Sequence, residues 1–521
     1  MKKNIVYLFT ASIMLLATSC SDFLDVNDSP NQPQASQIPP ERLLSAAQTQ
    51  AFRVISGDNQ NFETSIRTSN LNQLGNLMMN SWAGNVNNTT NPYSDEYRSI
   101  ITANFYDNIW DWNYRSIANF QLIMNYNSEN HDNHKAIAMI LKSFYMQYIV
   151  DLYGDAPYSE AFQGQANTTP AYDDDKQIYR DLYTNLDDAI ALIQSADGSD
   201  RSVGSEDAML GGDMDEWIRF ANTIKLRLLI RQSGLTDAET VTYINERLTE
   251  LQGAEFITHD ITINPGYSAS TTSNQNPFYG AYGYNISGAA TTSRNLVTAS
   301  EHAAEQLNST LDPRRSRLWT VPTSGAQAGM VVGIEQGADS EEAPDNPSFL
   351  GPAIIPVPTG NPATNATVGS SMNGYVMTLS EARFLMSEAA VRYPAQFAGY
   401  DAEALWEAGV TSSFTRLGAT GAAAYIANIN TFPGKGWDAS PNKIEPIMYQ
   451  KWVALMNVNA HESWIDFNRT GFPETPLAIT NNGAGKPLRL MYPTSEYVAN
   501  SANVPQQTSA DVFATGPFWL Q

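Results

Sequence analysis

Residues Trp217–Arg231 read WIRFANTIKLRLLIR. Trp217, Phe220, Ala221, Ile224 and Leu228 recur at i, i+3, i+4, i+7 and i+11, which is one face of an α-helix. Arg219, Lys225, Arg227 and Arg231 fall among them, so burying this stripe also carries guanidinium groups towards the interior. The same spacing recurs on both sides of this stretch. Ile137, Ile140, Leu141, Phe144 and Tyr148 form one such face, and Ala382, Leu385, Met386 and Ala389 another. The latter is introduced by Thr378-Leu-Ser-Glu381, which has the form of a capping box. Met448, Trp452, Leu455 and Met456 make a further stripe. Helices are also predicted at about 40–56, 62–81, 95–125, 174–195, 236–252, 295–307 and 402–417. No repeat of fixed period is present, but paired helices suggest a scaffold of helical hairpins. The fold class is mainly α.

Two stretches interrupt the helices. Residues 258–292 and 320–373 are rich in Gly, Pro, Ser, Thr and Asn, and loops of that length in a compact protein are usually functional or disordered. The first carries Tyr267, Phe278, Tyr279, Tyr282 and Tyr284, too many rings for plain disorder. Across the chain there are 25 Tyr, 20 Phe and 10 Trp, most of which the helical stripes assign to the core. Trp82, Tyr93, Tyr279, Tyr282, Tyr284 and Trp319 instead stand in polar surroundings. A sugar offers a flat C–H face that stacks on such rings and hydroxyls that Asn, Gln, Asp and Arg satisfy. These six residues are the candidate ligand-binding set.

With 521 residues the chain can bury a large core. Thirty Lys and Arg against 54 Asp and Glu give a formal charge of −24, which argues against binding a phosphate backbone. The single cysteine, Cys20, excludes an internal disulfide and cysteine-based zinc sites. It follows Met1–Ser19, where Lys2 and Lys3 precede an apolar stretch of about 13 residues, the length of a signal-peptide core and too short to span a bilayer. Leu15-Leu-Ala-Thr-Ser-Cys20 resembles a bacterial lipoprotein box, making Cys20 the predicted lipidation site. Residues 1–19 are then a signal peptide, 20–40 a lipid-anchored tether, and 41–521 the folded domain.

Catalytic patterns are mostly missing. His461-Glu462 opens like a zincin motif, but Ile465 stands where the second histidine belongs. No nucleophile elbow, Walker A or dinucleotide fingerprint stands in a strand-to-helix context. His131 and His134 sit in a polar turn and are expected to face solvent. Asp213-Met-Asp215 and Asp197-Gly-Ser-Asp200 offer oxygen ligands without completing a calcium loop; they read as helix caps and turns, with a structural calcium ion still open. No metal ligand or other cofactor is assigned.

Several segments together resemble the SusD/RagB family, nutrient-binding outer-membrane lipoproteins of Bacteroidetes. They are Cys20-Ser-Asp-Phe-Leu-Asp25, Asp151-Leu-Tyr-Gly-Asp-Ala-Pro-Tyr-Ser-Glu160, Trp217–Arg227 and Leu379–Ala389. Gln450–Leu455, Glu462–Arg469 and Leu490–Tyr497 complete the series in order along the chain. The resemblance implies a SusD-like α-superhelix of tetratricopeptide-like helix pairs with long irregular loops. It implies a non-catalytic protein that binds oligosaccharides at the cell surface and delivers them to a SusC-like TonB-dependent transporter. The alternatives are RagB-like capture of peptides for import and a surface hydrolase. The motif residues Gly154, Pro157, Glu381, Trp452, Trp464 and Arg469 read as helix-ending, packing and ion-pair positions. The ligand aromatics lie in loops that differ between members, so only Cys20 is carried over by pattern.

Overall fold

The computed structural model describes residues 37–57, 69–90, 92–357 and 368–520. The predicted lipidation site Cys20, the predicted signal peptide and most of the predicted tether lie outside the described residues. Helices dominate, as the hydrophobic periodicity requires. The N-terminal part runs α1 (Pro40–Ser56), α2 (Leu71–Met78), strand β1 (Trp82–Gly84), the single turn α3 (Ser94–Tyr97), α4 (Asp107–Met124) and α5 (Asp132–Tyr153). It continues through α6 (Asp175–Ser195), α7 (Met214–Arg231) and α8 (Ala238–Glu250). An irregular middle section holds β2 (Ile261–Ile263), α9 (Pro277–Tyr282), α10 (Thr292–Leu296), β3 (Val297–Ala299) and α11 (Glu301–Ser309). Strand β4 (Gly374–Met377) then leads into α12 (Leu379–Arg392), α13 (Ala402–Leu417), α14 (Ala422–Ile429), α15 (Ile444–Leu455) and α16 (Ala460–Thr470). Among the described residues, no helix is long and apolar enough to cross a membrane.

Consecutive helices pack on one another from α4 through α8, and again as α12 with α13 and α15 with α16. The two halves meet where α7 packs on α12 and α2 on α16. The motif residues explain that junction. Arg227 of α7 reaches Glu462 at 3.0 Å and Glu381 at 3.3 Å. Arg231, one turn on, reaches Glu462 at 2.6 Å, Asp466 at 3.1 Å and Asp151 at 3.3 Å. Lys451 and Arg469 also hold Asp466, and Arg469 binds Glu388 through both nitrogens at 2.6 and 2.8 Å. These side chains are essentially buried, so each charge is affordable only because its partners are in place. The basic residues of the Trp217–Arg231 stripe thus tie α5, α7, α12 and α16 into one frame, to which Lys451 adds α15.

Helix ends follow local chemistry. The Thr378 hydroxyl accepts from the Glu381 amide, as the capping box predicts. Gly154 ends α5 at φ 84° while its amide donates to Val150, and Asp213 caps α7 through the Glu216 amide. Three expectations fail for tertiary reasons. The helix predicted over 95–125 is split, with Ser99 and Tyr106 in left-handed backbone. The Tyr106 hydroxyl, donating to Glu96 and accepting from Gln73, holds the bend. The helix predicted over 295–307 gives way at Val297–Ala299, which pairs antiparallel with β1 in the register Trp82 to Ala299. His131 and His134 are buried rather than solvent-facing. Non-local segments cover their turn: His131 lies 3.3 Å from Glu41 of α1, His134 lies 3.2 Å from Glu206, and Asp200 accepts from the Asp132 amide. Of the helix predicted at 62–81, residues 71–78 are helical and 62–68 lie outside the described residues.

Candidate functional site

The irregular middle section gathers against α2 and strand β1 as a layer of loops. Asn276 caps α9 by accepting from the Tyr279 amide, and Pro277 starts the helix where no backbone donor is required. That short helix turns Tyr282 inward. Its ring meets Trp82 edge-on at 5.3 Å between centroids, and its hydroxyl accepts from Asn70 at 2.8 Å and donates to Gln73 at 3.1 Å. The Trp82 indole donates to Asn457 Oδ1 at 2.6 Å, and Asn457 Nδ2 donates to the Leu318 carbonyl beside Trp319. Trp319 forms a β-bridge with Leu350.

The six candidate aromatics therefore belong to one layer but do not make one exposed platform. Trp82, Tyr279, Tyr282 and Trp319 are fully buried, at 0 % exposure, and serve as the core of the layer. This corrects the expectation from their polar sequence surroundings: Asn70, Gln73 and Asn457 satisfy two of these rings from within. Burial raises the Tyr282 hydroxyl above its ordinary pKa and pushes Tyr279 up to about 12. Tyr93 and Tyr284 are the two that reach the surface, both half-buried. Tyr93 adopts left-handed backbone at φ 57° as it enters α3, and its ring lies 6.2 Å from Tyr97. Tyr284 lies 6.1 Å from Tyr279 and opens a hairpin that closes through its β-bridge to Ala290.

Arg294 was not among the sequence candidates. It follows that hairpin on α10 and places its guanidinium carbon 5.9 Å from the centre of the Tyr284 ring and 5.5 Å from that of Phe349. The sequence does hold a signal for it. Between Asp260 and Glu301 Arg294 is the only charged residue, which is unusual in a chain with 54 acids. A cleft of about 340 Å³ opens beside Tyr97, between Pro92, Ser94, Arg98, Gly337 and Thr480.

Among the described residues one carboxylate cluster, Asp155, Asp174 and Asp175, brings ligand oxygens close enough to share a cation. Each is already employed: Asp155 accepts from the Asp175 amide, Asp174 caps α6, and Asp175 accepts from the Phe518 amide. Burial, and then its acidic neighbours, raise Asp175 to about 6. Asp197 is likewise taken up in a turn with Ser199.

The family model for SusD-like proteins, described as starch-binding and associating with the outer membrane, matches residues 34–493. None of the curated protein sequences matches the chain. A chitin-binding SusD homologue from Flavobacterium johnsoniae superposes with a TM-score of 0.66 at 24% identity, covering 91% of this chain and 96% of that one. A SusD-like protein from Bacteroides thetaiotaomicron gives 0.69 at 24% identity, over 92% and 98%. A SusD homologue from Bacteroides vulgatus gives 0.71 at 20%, over 92% and 98%. These similarities establish the mainly α fold. With the family model spanning nearly the whole helical frame and the loop layer set upon it, the chain belongs to the SusD/RagB family.

Proposed function

We propose that this protein captures oligosaccharides at the loop layer, without cutting them, and delivers them to a SusC-like TonB-dependent transporter. The observation that carries the reading is the placement of Tyr284 and Tyr93: half-exposed rings whose inner neighbours, Tyr279 and Tyr97, are locked in the core. A ring held in place by buried packing loses little entropy when a sugar stacks on it. The family's description as starch-binding and the chitin-binding relative support a glycan ligand. Lipidation at Cys20, with residues 20–40 as the tether, is part of this proposal. A rigid body on such a tether can hinge over a transporter mouth.

Isothermal titration calorimetry of the protein against neutral and acidic oligosaccharides and an oligopeptide mixture tests the reading. Heat from a saccharide that is recovered uncut supports it. Heat from peptides alone moves the protein to peptide capture, and shortened sugars would make it a hydrolase. Cys20→Ala tests the anchor, and the variant is expected in the soluble rather than the membrane fraction.

A further inference from the structure

Among the described residues, Arg227, Arg231, Arg294, Arg314 and Arg489 are buried. Four of them have carboxylate or carbonyl partners. Arg227 and Arg231 bind carboxylates, Arg314 binds Asp312 at 2.7 Å, and Arg489 donates to the carbonyls of Thr515 and Tyr153. Arg294 differs. It is 7 % exposed, and its buried Nε and Nη1 have no hydrogen-bond partner. Its guanidinium lies beside two rings, Tyr284 and Phe349, both half-buried.

Leaving charged donors buried and unpaired costs more than a neutral lost hydrogen bond. Two cation–π contacts of about 0.5–2 kcal/mol each offset only part of that cost. The frame pairs Arg227 and Arg231 with carboxylates. At Arg294 none is supplied among the described residues, although the chain carries 54 acids. A guanidinium is a planar fork of donors, and a carboxylate is the group it fits bidentately. The surrounding rings offer the faces on which a sugar stacks.

We infer that Arg294 is an oxyanion-binding residue of the loop layer, taking the carboxylate of an acidic sugar, so that the ligand contains uronic-acid units. The inference rests on the proposed glycan-binding reading and narrows it. A charge-assisted hydrogen bond of about 1.5–3 kcal/mol corresponds to roughly 10–100-fold in affinity.

The test compares uronic-acid oligosaccharides from several polysaccharides with their carboxyl-reduced, neutral counterparts and with an acidic peptide. Calorimetry should show the parent binding a uronate at least about tenfold more tightly than its reduced form. Arg294→Gln should abolish that difference while retaining affinity for the neutral form, and Arg294→Lys should restore part of it. Arg294→Met, which removes the unpaired charge, should melt at a higher temperature than the parent; a residue serving only the fold would lower it. Equal binding of acidic and reduced sugars by the parent overturns the inference and leaves glycan capture standing. A uronate preference that survives Arg294→Gln overturns the assignment to this residue. Binding of the peptide alone, or of no saccharide at all, defeats the glycan reading and this inference with it. If Arg294→Gln fails to fold, the parent's acidic-to-neutral ratio and the Lys variant still decide.

Discussion

In the helical frame, Arg227 and Arg231 meet Glu381, Glu462, Asp151 and Asp466, all within 3.3 Å. In the loop layer, Arg294 is almost as deeply buried and has two aromatic rings for company. The frame pairs these charges with one another. The loop layer spends its polar side chains differently: Asn70, Gln73 and Asn457 hold Trp82 and Tyr282, and the cation is left over. Residual binding capacity is concentrated where the fold does not use it up.

The largest expected effect lies in the frame. Arg231→Met leaves Asp151 and Asp466 short of a cation and Glu462 with only Arg227. Removing one partner of a buried ionic group costs about 3–5 kcal/mol. Urea denaturation should show that loss, and a variant as stable as the parent would erase the contrast between the two regions. Trp82→Ala should cost a comparable amount, about 3–5 kcal/mol, through the cavity it leaves and the unpaired Asn457 oxygen. A Trp82→Ala protein of parental stability that had lost sugar binding would return this ring to the ligand face.

Acid sharpens the comparison further. Burial lowers the His461 imidazole to about 3, so it stays neutral in the folded frame. The unfolded chain protonates it near pH 6.5. Between those values the unfolded state binds the extra proton, so folding weakens as pH falls through about 6.5 towards 3. From pH 6 to 4 this amounts to about 2.5 kcal/mol. Asp466, held at about 2 against burial chiefly by Lys451, then Arg469 and Arg231, contributes with the opposite chemistry but the same sign. Its stabilisation is present above about 3.8 and is lost as pH falls through about 2. Denaturation midpoints of the parent and of His461→Phe at pH 6, 4 and about 2 separate the two groups, because the variant loses the slope above pH 4 and keeps the one below it.

The frame was readable in the sequence because its determinants are local and periodic. The Trp217–Leu228 stripe, the Thr378 cap and Gly154 each fix their element with neighbours a few residues away. The loop layer was readable only in outline. Trp82 and Tyr282 stand in polar surroundings because their partners, Asn457 and Asn70, lie 375 and 212 residues distant. Sequence polarity near a ring does not show whether the polar groups face water or satisfy that ring. The same non-local covering buried His131 and His134, and the β1–β3 pairing ended a helix that Val297 and Thr298 would otherwise have continued. Arg294 was visible as an isolated charge, but its lack of a partner is a property of the folded layer alone.

The smallest expected effect on folding comes from Tyr284, and it separates the regions most directly. The ring is half-buried, and its backbone already pairs with Ala290 and accepts from Gln275, so Tyr284→Ala removes little that the fold depends on. A stability change within about 0.5 kcal/mol is expected, as for other substitutions away from the core. Binding should respond differently. An aromatic stack with a base is worth about 1–3 kcal/mol, and by analogy the loss of one sugar stack weakens affinity about tenfold. The Arg294 cation also loses one of its two rings, so affinity for an acidic ligand should fall further than for a neutral one. Paired calorimetry and denaturation on Tyr284→Ala and Trp82→Ala therefore give opposite patterns, weak binding with intact stability against lost stability first. If Tyr284→Ala binds sugars like the parent, the ligand face lies elsewhere in the layer, and the half-exposed rim at Tyr93 becomes the next place to cut.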